Sequence, residues 1–275
     1  MAINSWQDSL PASKNNYSLK SRPAWVGAFH VAGYGSTLTI LNNTWYKNFP
    51  RTSLHSFNDS REWMQMDKIG HAWSAYGLSR ASTAAWKWAG WDSKKASTWG
   101  SLSGFTFLTI IEVLDARSAK WGWSWSDVAA NTFGTGLYLS QELLWQEQRA
   151  YLKFSFHKMH TPDPALLKRG DELFGNSWTE RMLKDYNGQT YWLSFNLHSF
   201  WKNSQLPKWL NLSLGYGANG MWGGFDNTAR NEFGEIIFDR RDISRTRRFL
   251  LSPDIDFLRI PTNKKWVRSL LFVLN

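Results

Sequence analysis

The sequence predicts an α+β fold in which an N-terminal helical bundle precedes an antiparallel, strand-rich C-terminal part. Two observations predict it. The first is a series of long apolar stretches, separated by polar turns, that reaches about Arg149. The second is the alternation of apolar and polar residues further along the chain, which is typical of strands. In "WLNLSLGYGA" the apolar side is Leu210, Leu212, Leu214 and Tyr216, and the residues between them are Asn211, Ser213 and Gly215.

Three regions follow from this pattern. Residues 1–23 form a polar N-terminal arm, residues 24–150 a helical bundle domain and residues 151–275 an antiparallel β-rich region. Within the last region, residues 217–242 are rich in Gly and charge, and a loop of that length is usually functional or mobile. The first residues contain no basic segment followed by an apolar one, so we expect a signal peptide to have been removed.

Four helices are expected in the bundle. Residues 24–46 carry no formal charge but include Asn, Thr, Ser and His, which favours a semi-polar buried or interfacial helix. Asn58, Asp59 or Ser60 is a suitable N-cap for a second helix, which carries "MQMDKIGHAWSAY" and runs to about Trp88. The stretch "TWGSLSGFTFLTIIEVLDA" forms the third. Ser126 is a suitable N-cap for the fourth, "SDVAANTFGTGLYLSQELLWQEQR".

Four strands are expected in the C-terminal part. They are "YWLSFNLHSFW", "WLNLSLGYGA", "RRFLLSPDIDFLRI" and "KKWVRSLLFVLN". Strands with such wide aromatic faces need a covering layer, which could be helices, further strands or a membrane.

The composition restricts the function. The chain has no Cys, which excludes disulfides, thiol catalysis and a lipoprotein cysteine within it. Its 19 Trp, 17 Phe and 9 Tyr fit a membrane-interface belt, a sugar- or base-stacking surface or a Trp-rich core. The net charge of +10 attracts anions such as lipid head groups or acidic glycans. No nucleic-acid-binding motif accompanies that charge, so we expect no nucleic-acid partner.

Asp67 and His71 are the first candidate site residues. They are four apart and therefore share one face of the second helix. A carboxylate beside an imidazole can orient it as a general base, and both side chains can ligate a metal. The same pair can equally be a structural hydrogen bond inside a bundle.

Two further pairs occur on the next helices. Glu112 and Asp115 follow an apolar run, and Asp127 and Asn131 lie one helical turn apart. Each pair can take part in acid/base or metal chemistry, or can form a local ion pair, a first-turn charge or an interhelical hydrogen bond. Polar groups shielded inside a bundle are costly unless they meet one another. We therefore expect one polar cluster, formed by Asp67, His71, Glu112, Asp127 and Asn131.

The motifs "MDKIGHAWSAY", "IIEVLDA" and "WGWSWSDVAANTFGTGLYLSQ" resemble the YfiM-like family of uncharacterised envelope proteins, predicted periplasmic lipoproteins with a domain of unknown function. The pattern is more distantly similar to VanZ-like membrane proteins. The resemblance covers about Trp63 to Gln148, and "KDYNGQTYWLS" resembles the longer versions found in Bacteroidetes-type bacteria. It implies an envelope location and a bundle of VanZ-like helices with inward polar residues. The negative mean hydropathy, the strand alternation and the aromatic richness favour the outer membrane or its periplasmic face. The resemblance implies no established activity.

Three functions remain open. In the first, an outer-membrane-associated protein docks on lipid or on a larger membrane protein complex, the polar cluster is structural and no cofactor is needed. In the second, an enzyme modifies an envelope lipid or glycan, with His71 as base, Asp67 as its orienting group and Glu112 as acid or metal ligand. Asp127, Asn131 and Asp115 would then position substrate or a divalent metal. In the third, exposed Trp side chains bind a glycan.

Overall fold

The structure is a computed structural model that describes residues 16–46 and 49–275. Most of the N-terminal arm predicted for residues 1–23 lies outside these ranges. The fold is α+β, as predicted: a helical region comes first and an antiparallel sheet follows.

The chain divides into two compact units, which we call the helical unit and the sheet unit. The helical unit comprises the described residues up to Asn58 together with Ser74–Glu147. The sheet unit comprises Asp59–Trp73 together with Gln148–Asn275. A short segment of the N-terminal half therefore folds with the C-terminal half.

Four long helices supply most of the helical unit. Helices α3 and α4 begin at side-chain caps, since Asp92 accepts a hydrogen bond from the Lys95 amide and Ser124 accepts one from the Asp127 amide. The prediction of Ser126 as the cap of α4 was wrong by two residues, because Ser124 is the residue whose hydroxyl reaches an orphan amide of the first turn. The helices are α1 (Asn16–Leu41), α2 (Met66–Trp88), α3 (Ser93–Asp115) and α4 (Trp125–Trp145).

The helices of this unit pack through small residues. A Cβ placed on Gly100 of α3 would lie 2.5 Å from the backbone nitrogen of Thr83 in α2, and one on Gly104 would lie 3.0 Å from Leu78 Cβ. Backbones approach this closely only where a side chain is absent. In the described residues none of the helices is both long and apolar enough to cross a membrane.

The sheet unit contains a four-stranded antiparallel sheet in the order β1-β2-β3-β6. A separate two-stranded sheet, β4–β5, lies in the segment 217–242 that the sequence predicts to be a loop. Its Asn231–Gly234 turn closes a hairpin too short to recognise from alternation. The strands are β1 (Ala150–Phe156), β2 (Gln189–Asn196), β3 (Leu210–Asn219), β4 (Thr228–Arg230), β5 (Ile236–Asp239) and β6 (Thr246–Ile255).

Short helices lie between these strands, and a last one follows them. The prediction of a strand in "KKWVRSLLFVLN" was wrong, because this stretch forms helix α8. Its apolar run is continuous rather than alternating, and such a run suits a helix as well as a buried strand. The helices are α5 (Pro164–Phe174), α6 (Trp178–Lys184), α7 (Leu197–Phe200) and α8 (Lys265–Leu274).

The apolar core of the sheet unit forms between the start of α2 and one end of the sheet. Met66 is fully buried and packs with Tyr191 of β2, Ala218 of β3 and Met221. The Asn187 side chain fixes the segment after β3, since its amide nitrogen donates to the Met221 carbonyl at 2.9 Å and its oxygen accepts from the Met221 amide at 2.8 Å. This core holds the residues around Asp67 in place.

Candidate functional site

The turn that leads into α2 has a left-handed backbone. Trp63, Met64 and Gln65 have φ angles of 48°, 52° and 65°. Such a conformation costs an L-residue about 1–2 kcal/mol, so it persists only where the surroundings impose it. Here the Trp63 amide donates to the Gly224 carbonyl at 2.7 Å, and the Tyr216 hydroxyl donates to the Met64 carbonyl at 2.5 Å. The sheet unit therefore sets the position at which α2 begins.

Asp67 lies in the first turn of α2 with both carboxylate oxygens bonded. Its Oδ1 accepts from the Tyr186 hydroxyl at 2.7 Å, and its Oδ2 accepts from Lys68 Nζ at 2.9 Å. Lys68 Nζ also donates to Asp59 Oδ2 at 2.6 Å, and the side chains of Lys68 and Asp59 are 10% and 11% exposed. An acid–base–acid chain of this kind keeps each charge close to an opposite charge inside the protein.

These neighbours hold Asp67 in its ionised form. Burial raises the pKa of Asp67, but the charges of His71 and Lys68, with the hydrogen bonds from Lys68 and Tyr186, outweigh burial. The net result is a pKa below the ordinary 3.8. Asp67 and His71 are thus an electrostatically coupled pair in the sheet unit, one helical turn apart, and both side chains are half-buried.

Tyr191 of β2 borders the same site. Its hydroxyl donates to Gln189 Oε1 at 2.9 Å, and a Cβ on Gly70 of α2 would lie 2.8 Å from that hydroxyl oxygen. Burial and then the Asp67 charge raise the pKa of Tyr191, so the phenol keeps its proton. A side chain at position 70 would have to displace the Tyr191 hydroxyl, because α2 passes close to that end of the ring.

The other predicted site residues belong to the helical unit. Glu112 of α3 is 1% exposed, Asp127 of α4 is 5% exposed and Asn131 is fully buried. These three lie on helices that pack against each other. Asp115 lies at the end of α3, where its Oδ1 accepts a hydrogen bond from the Tyr46 hydroxyl at 2.8 Å. Burial, followed by the charge and hydrogen bond of Asp115, raises the pKa of Tyr46.

Several polar residues of these regions were missed at the sequence level. Lys87 of α2 and Glu142 of α4 form an ion pair at 2.8 Å, with side chains 16% and 8% exposed. Tyr186 and Asp59 complete the Asp67 site. Lys87 stands within the apolar end of α2, "AAWKW", which was a usable signal. No local pattern links Tyr186 to a residue 119 positions away.

The polar side of the sheet is buried and connected. Asp254 Oδ2 of β6 accepts from Ser194 Oγ at 2.6 Å and from Ser213 Oγ at 3.1 Å, and it pairs with Lys153 Nζ at 2.7 Å. Asn211 extends the network, because its Nδ2 donates to Ser194 Oγ at 2.8 Å. Ser194, Ser213 and Asn211 are at most 2% exposed. With these groups satisfied, the network is structural rather than reactive.

The apolar side of the same strands is the exposed one. In β3, Leu214 is 53% exposed, and its cross-strand partner Leu251 in β6 is 66% exposed. In the next cross-strand pair on the same face, Phe249 is 77% exposed beside the half-buried Tyr216. A sheet in water normally buries its apolar side and exposes its polar side, and this pair of strands does the opposite.

The helical unit carries the same inversion. Ser79, Ser97 and Ser101 are fully buried, each at 0% exposure. Large apolar side chains on the outside include Trp25 at 68%, Phe29 at 75%, Phe133 at 57% and Leu144 at 74%. Large exposed apolar side chains of this kind are common at interaction surfaces.

Residues 56–141 match a protein family described as predicted periplasmic lipoprotein (DUF2279). Among curated proteins none matches the chain, and no solved structure matches it either. The matched region is under a third of the 275 residues. All six predicted site residues, Asp67, His71, Glu112, Asp115, Asp127 and Asn131, fall within it. From the loop before α2 to the last turns of α4, the chain is similar to a periplasmic envelope family of unknown function, which supports an envelope location.

Proposed function

We propose that the chain is a cell-envelope protein that docks on membrane lipid, at the outer membrane, through its exposed apolar and Trp-rich faces. The inverted sheet carries the proposal, since Leu214, Phe249 and Leu251 face outward while the polar side of the same strands is buried. Moving a large apolar side chain out of water contributes about 1.5–3 kcal/mol. Three such side chains supply enough for stable docking once a surface removes them from water. A larger membrane protein complex is the other surface that would do so.

In this proposal the inward polar residues are structural. We propose that Asp67 and His71 in the sheet unit, and Glu112, Asp127 and Asn131 in the helical unit, are the structural polar residues that the sequence predicts. The bonding of Asp67 supports this role, since both of its oxygens have partners within the sheet unit.

Vesicle flotation tests the docking. The chain is mixed with vesicles of phosphatidylethanolamine and phosphatidylglycerol and centrifuged through a density gradient. The Leu214→Ser, Leu251→Ser double variant should float about 30-fold less efficiently at limiting lipid, because two side chains each lose about 1 kcal/mol or more of transfer energy. Ile237→Ser is the matched control, since Ile237 is 65% exposed but lies on the separate β4–β5 sheet. A wild-type chain that stays at the bottom of the gradient would refute docking on lipid.

An envelope lipid- or glycan-modifying enzyme is the second candidate. The observation that favours it is the lowered pKa of Asp67 beside His71, because an ionised carboxylate is what a general base needs as its orienting group. His71 would be the base, Glu112 the acid or a ligand of a divalent metal, and Asp127, Asn131 and Asp115 positioning groups. The His71→Ala protein separates the two candidates. Loss of the cellular phenotype at wild-type abundance and stability would favour the enzyme, and loss of stability alone would favour the structural cluster.

A further inference from the structure

The connection between β2 and β3 is unusually basic and aromatic. Residues 197–209, "LHSFWKNSQLPKW", contain two lysines and no acidic residue. Trp201 is 60% exposed and Trp209 is 41% exposed, and Lys202 and Lys208 are exposed beside them. Trp and Lys together are the side chains that settle where a bilayer meets water.

This connection has a defined conformation. Asn196 holds both of its ends, since its Oδ1 accepts from the Ser199 amide at 2.9 Å and its Nδ2 donates to the Lys208 carbonyl at 2.8 Å. The amide and hydroxyl of Ser204 both donate to the Trp201 carbonyl, at 3.0 and 2.7 Å. The side chains of the connection are therefore presented in a fixed arrangement, which lowers the entropic cost of binding.

A cavity of about 610 Å³ opens within this connection. Its lining combines a guanidinium group, an ammonium group, an amide, hydroxyls and apolar side chains. The lining residues include Arg149, Ser199, Trp201, Lys202, Asn203 and Leu206. Positive charge and neutral donors in one concave site suit a phosphate group, and the apolar rim suits the glycerol and acyl region next to it.

We propose that this cavity binds the phosphate head group of an anionic phospholipid in a bilayer, with Trp201 and Leu206 inserted at the interface. The inference rests on the proposed docking function and names the lipid class that the docking selects. Charge complementarity supports it, since Arg149 and Lys202 line the cavity and carry the charge opposite to that of the anionic head group. Lys208, exposed in the same connection, adds a third positive charge outside the lining. A zwitterionic bilayer would satisfy the aromatic side chains but not the basic ones.

The test compares vesicles of phosphatidylcholine alone with vesicles that also contain phosphatidylglycerol, using the full chain and a titration of lipid. The wild-type chain should bind the anionic vesicles more tightly by at least about 25-fold, because two exposed lysines contribute to that preference. Each neutralised basic residue at a membrane surface lowers partitioning about fivefold, so Lys202→Gln with Lys208→Gln should lower it about 25-fold on anionic vesicles only. Lys168→Gln, at an exposed lysine of α5, is the charge control and should leave partitioning unchanged.

Trp201→Ala tests the aromatic half of the site. It should weaken binding to both kinds of vesicle about tenfold, because the indole contributes regardless of head-group charge. Trp178→Ala is its control, because Trp178 is 59% exposed on α6, away from the cavity, against 60% for Trp201. Circular dichroism of the four variants should match the wild type, since the substituted side chains are exposed.

The outcomes are separable. If the wild-type chain binds no vesicles, the docking function fails and the head-group site fails with it. If the wild-type chain binds but the double lysine variant binds anionic vesicles as tightly as Lys168→Gln does, only the head-group site is overturned. Saturable, Lys202-dependent binding of inorganic phosphate in calorimetry, with no preference for anionic vesicles, would also overturn it, because the ligand would then be a free anion.

Discussion

Gly100→Ala tests the close packing of α2 and α3 in the helical unit. The added Cβ would lie 2.5 Å from Thr83 N and Oγ1 and 2.8 Å from Thr83 Cα. Ordinary contacts between carbon atoms are about 3.5–4.0 Å, so the two helices must separate by roughly 1 Å. A backbone atom cannot rotate away as a flexible side chain can. The upper end of the overpacking cost, about 3 kcal/mol, therefore applies.

The net effect includes a gain from helix propensity. Ala is favoured over Gly in a helix interior by about 1 kcal/mol, which leaves a net destabilisation of about 2 kcal/mol. For a protein of this size that corresponds to a Tm lower by about 4–8 °C. Differential scanning calorimetry at neutral pH measures it directly.

Gly136→Ala is the matched control. Gly136 also lies inside a helix, α4, but a Cβ there meets nothing within 4 Å. Only the propensity gain then applies, so this variant should be more stable by up to about 1 kcal/mol. If Gly100→Ala raised the Tm as Gly136→Ala does, the proposed close approach of α2 and α3 would be refuted.

Three further predictions concern buried charges. Because the folded-state pKa of Asp67 lies below its ordinary 3.8, its stabilisation is present at neutral pH and is lost as pH falls through the folded-state value. The stability gap between wild type and Asp67→Asn in urea unfolding should therefore shrink steadily below about pH 4. Tyr186→Phe removes a hydrogen bond to that carboxylate and should destabilise the fold by about 1.5–3 kcal/mol in the same assay. In the Asp67→Asn background the loss should be smaller, about 0.5–1.5 kcal/mol, because the amide oxygen still accepts from the hydroxyl but carries no charge. Lys87→Met should lower the free energy of unfolding by about 3–5 kcal/mol, measured by thermal unfolding, because it leaves the Glu142 carboxylate without its cation. Adding Glu142→Gln should restore part of that stability. A double variant as unstable as Lys87→Met, or less stable, would contradict the ion-pair assignment.

The helices around the candidate site were predictable because their signals are local. The end of α2 and the run of α3 follow from apolar patterning and polar turns. The predicted N-cap of α2 at Asn58, Asp59 or Ser60 was wrong, because a left-handed turn at Trp63–Gln65 precedes the helix, which begins at Met66. The partners of the site residues were not predictable, since Tyr186 and Lys68 reach Asp67 through the fold of the sheet unit rather than through a sequence pattern. The spacing of residues along a helix also does not reveal the hydrogen-bond partners of a side chain. The role of the polar residues therefore depends on contacts that are formed only in the folded protein.

The sheet shows a second limit of prediction from the sequence. Alternation in β3 correctly separated Leu212 and Leu214 from Asn211 and Ser213, but it could not say which side would be covered. The usual expectation is that the leucines are buried, and here the asparagine and serine are. Strand β1 was missed because "AYLKFSF" follows α4 with only a short polar turn, and its alternation includes an inward lysine that pairs with Asp254.

The grouping of Asp59–Trp73 with the sheet unit has a consequence for biosynthesis. Met66 reaches its buried position only when Met221, 155 residues later in the chain, has been made. At a translation rate of about 5–20 residues per second, that delay is roughly 10–30 s. During this interval the left-handed turn at Trp63–Gln65 lacks the bonds that impose it, and an apolar segment stays uncovered.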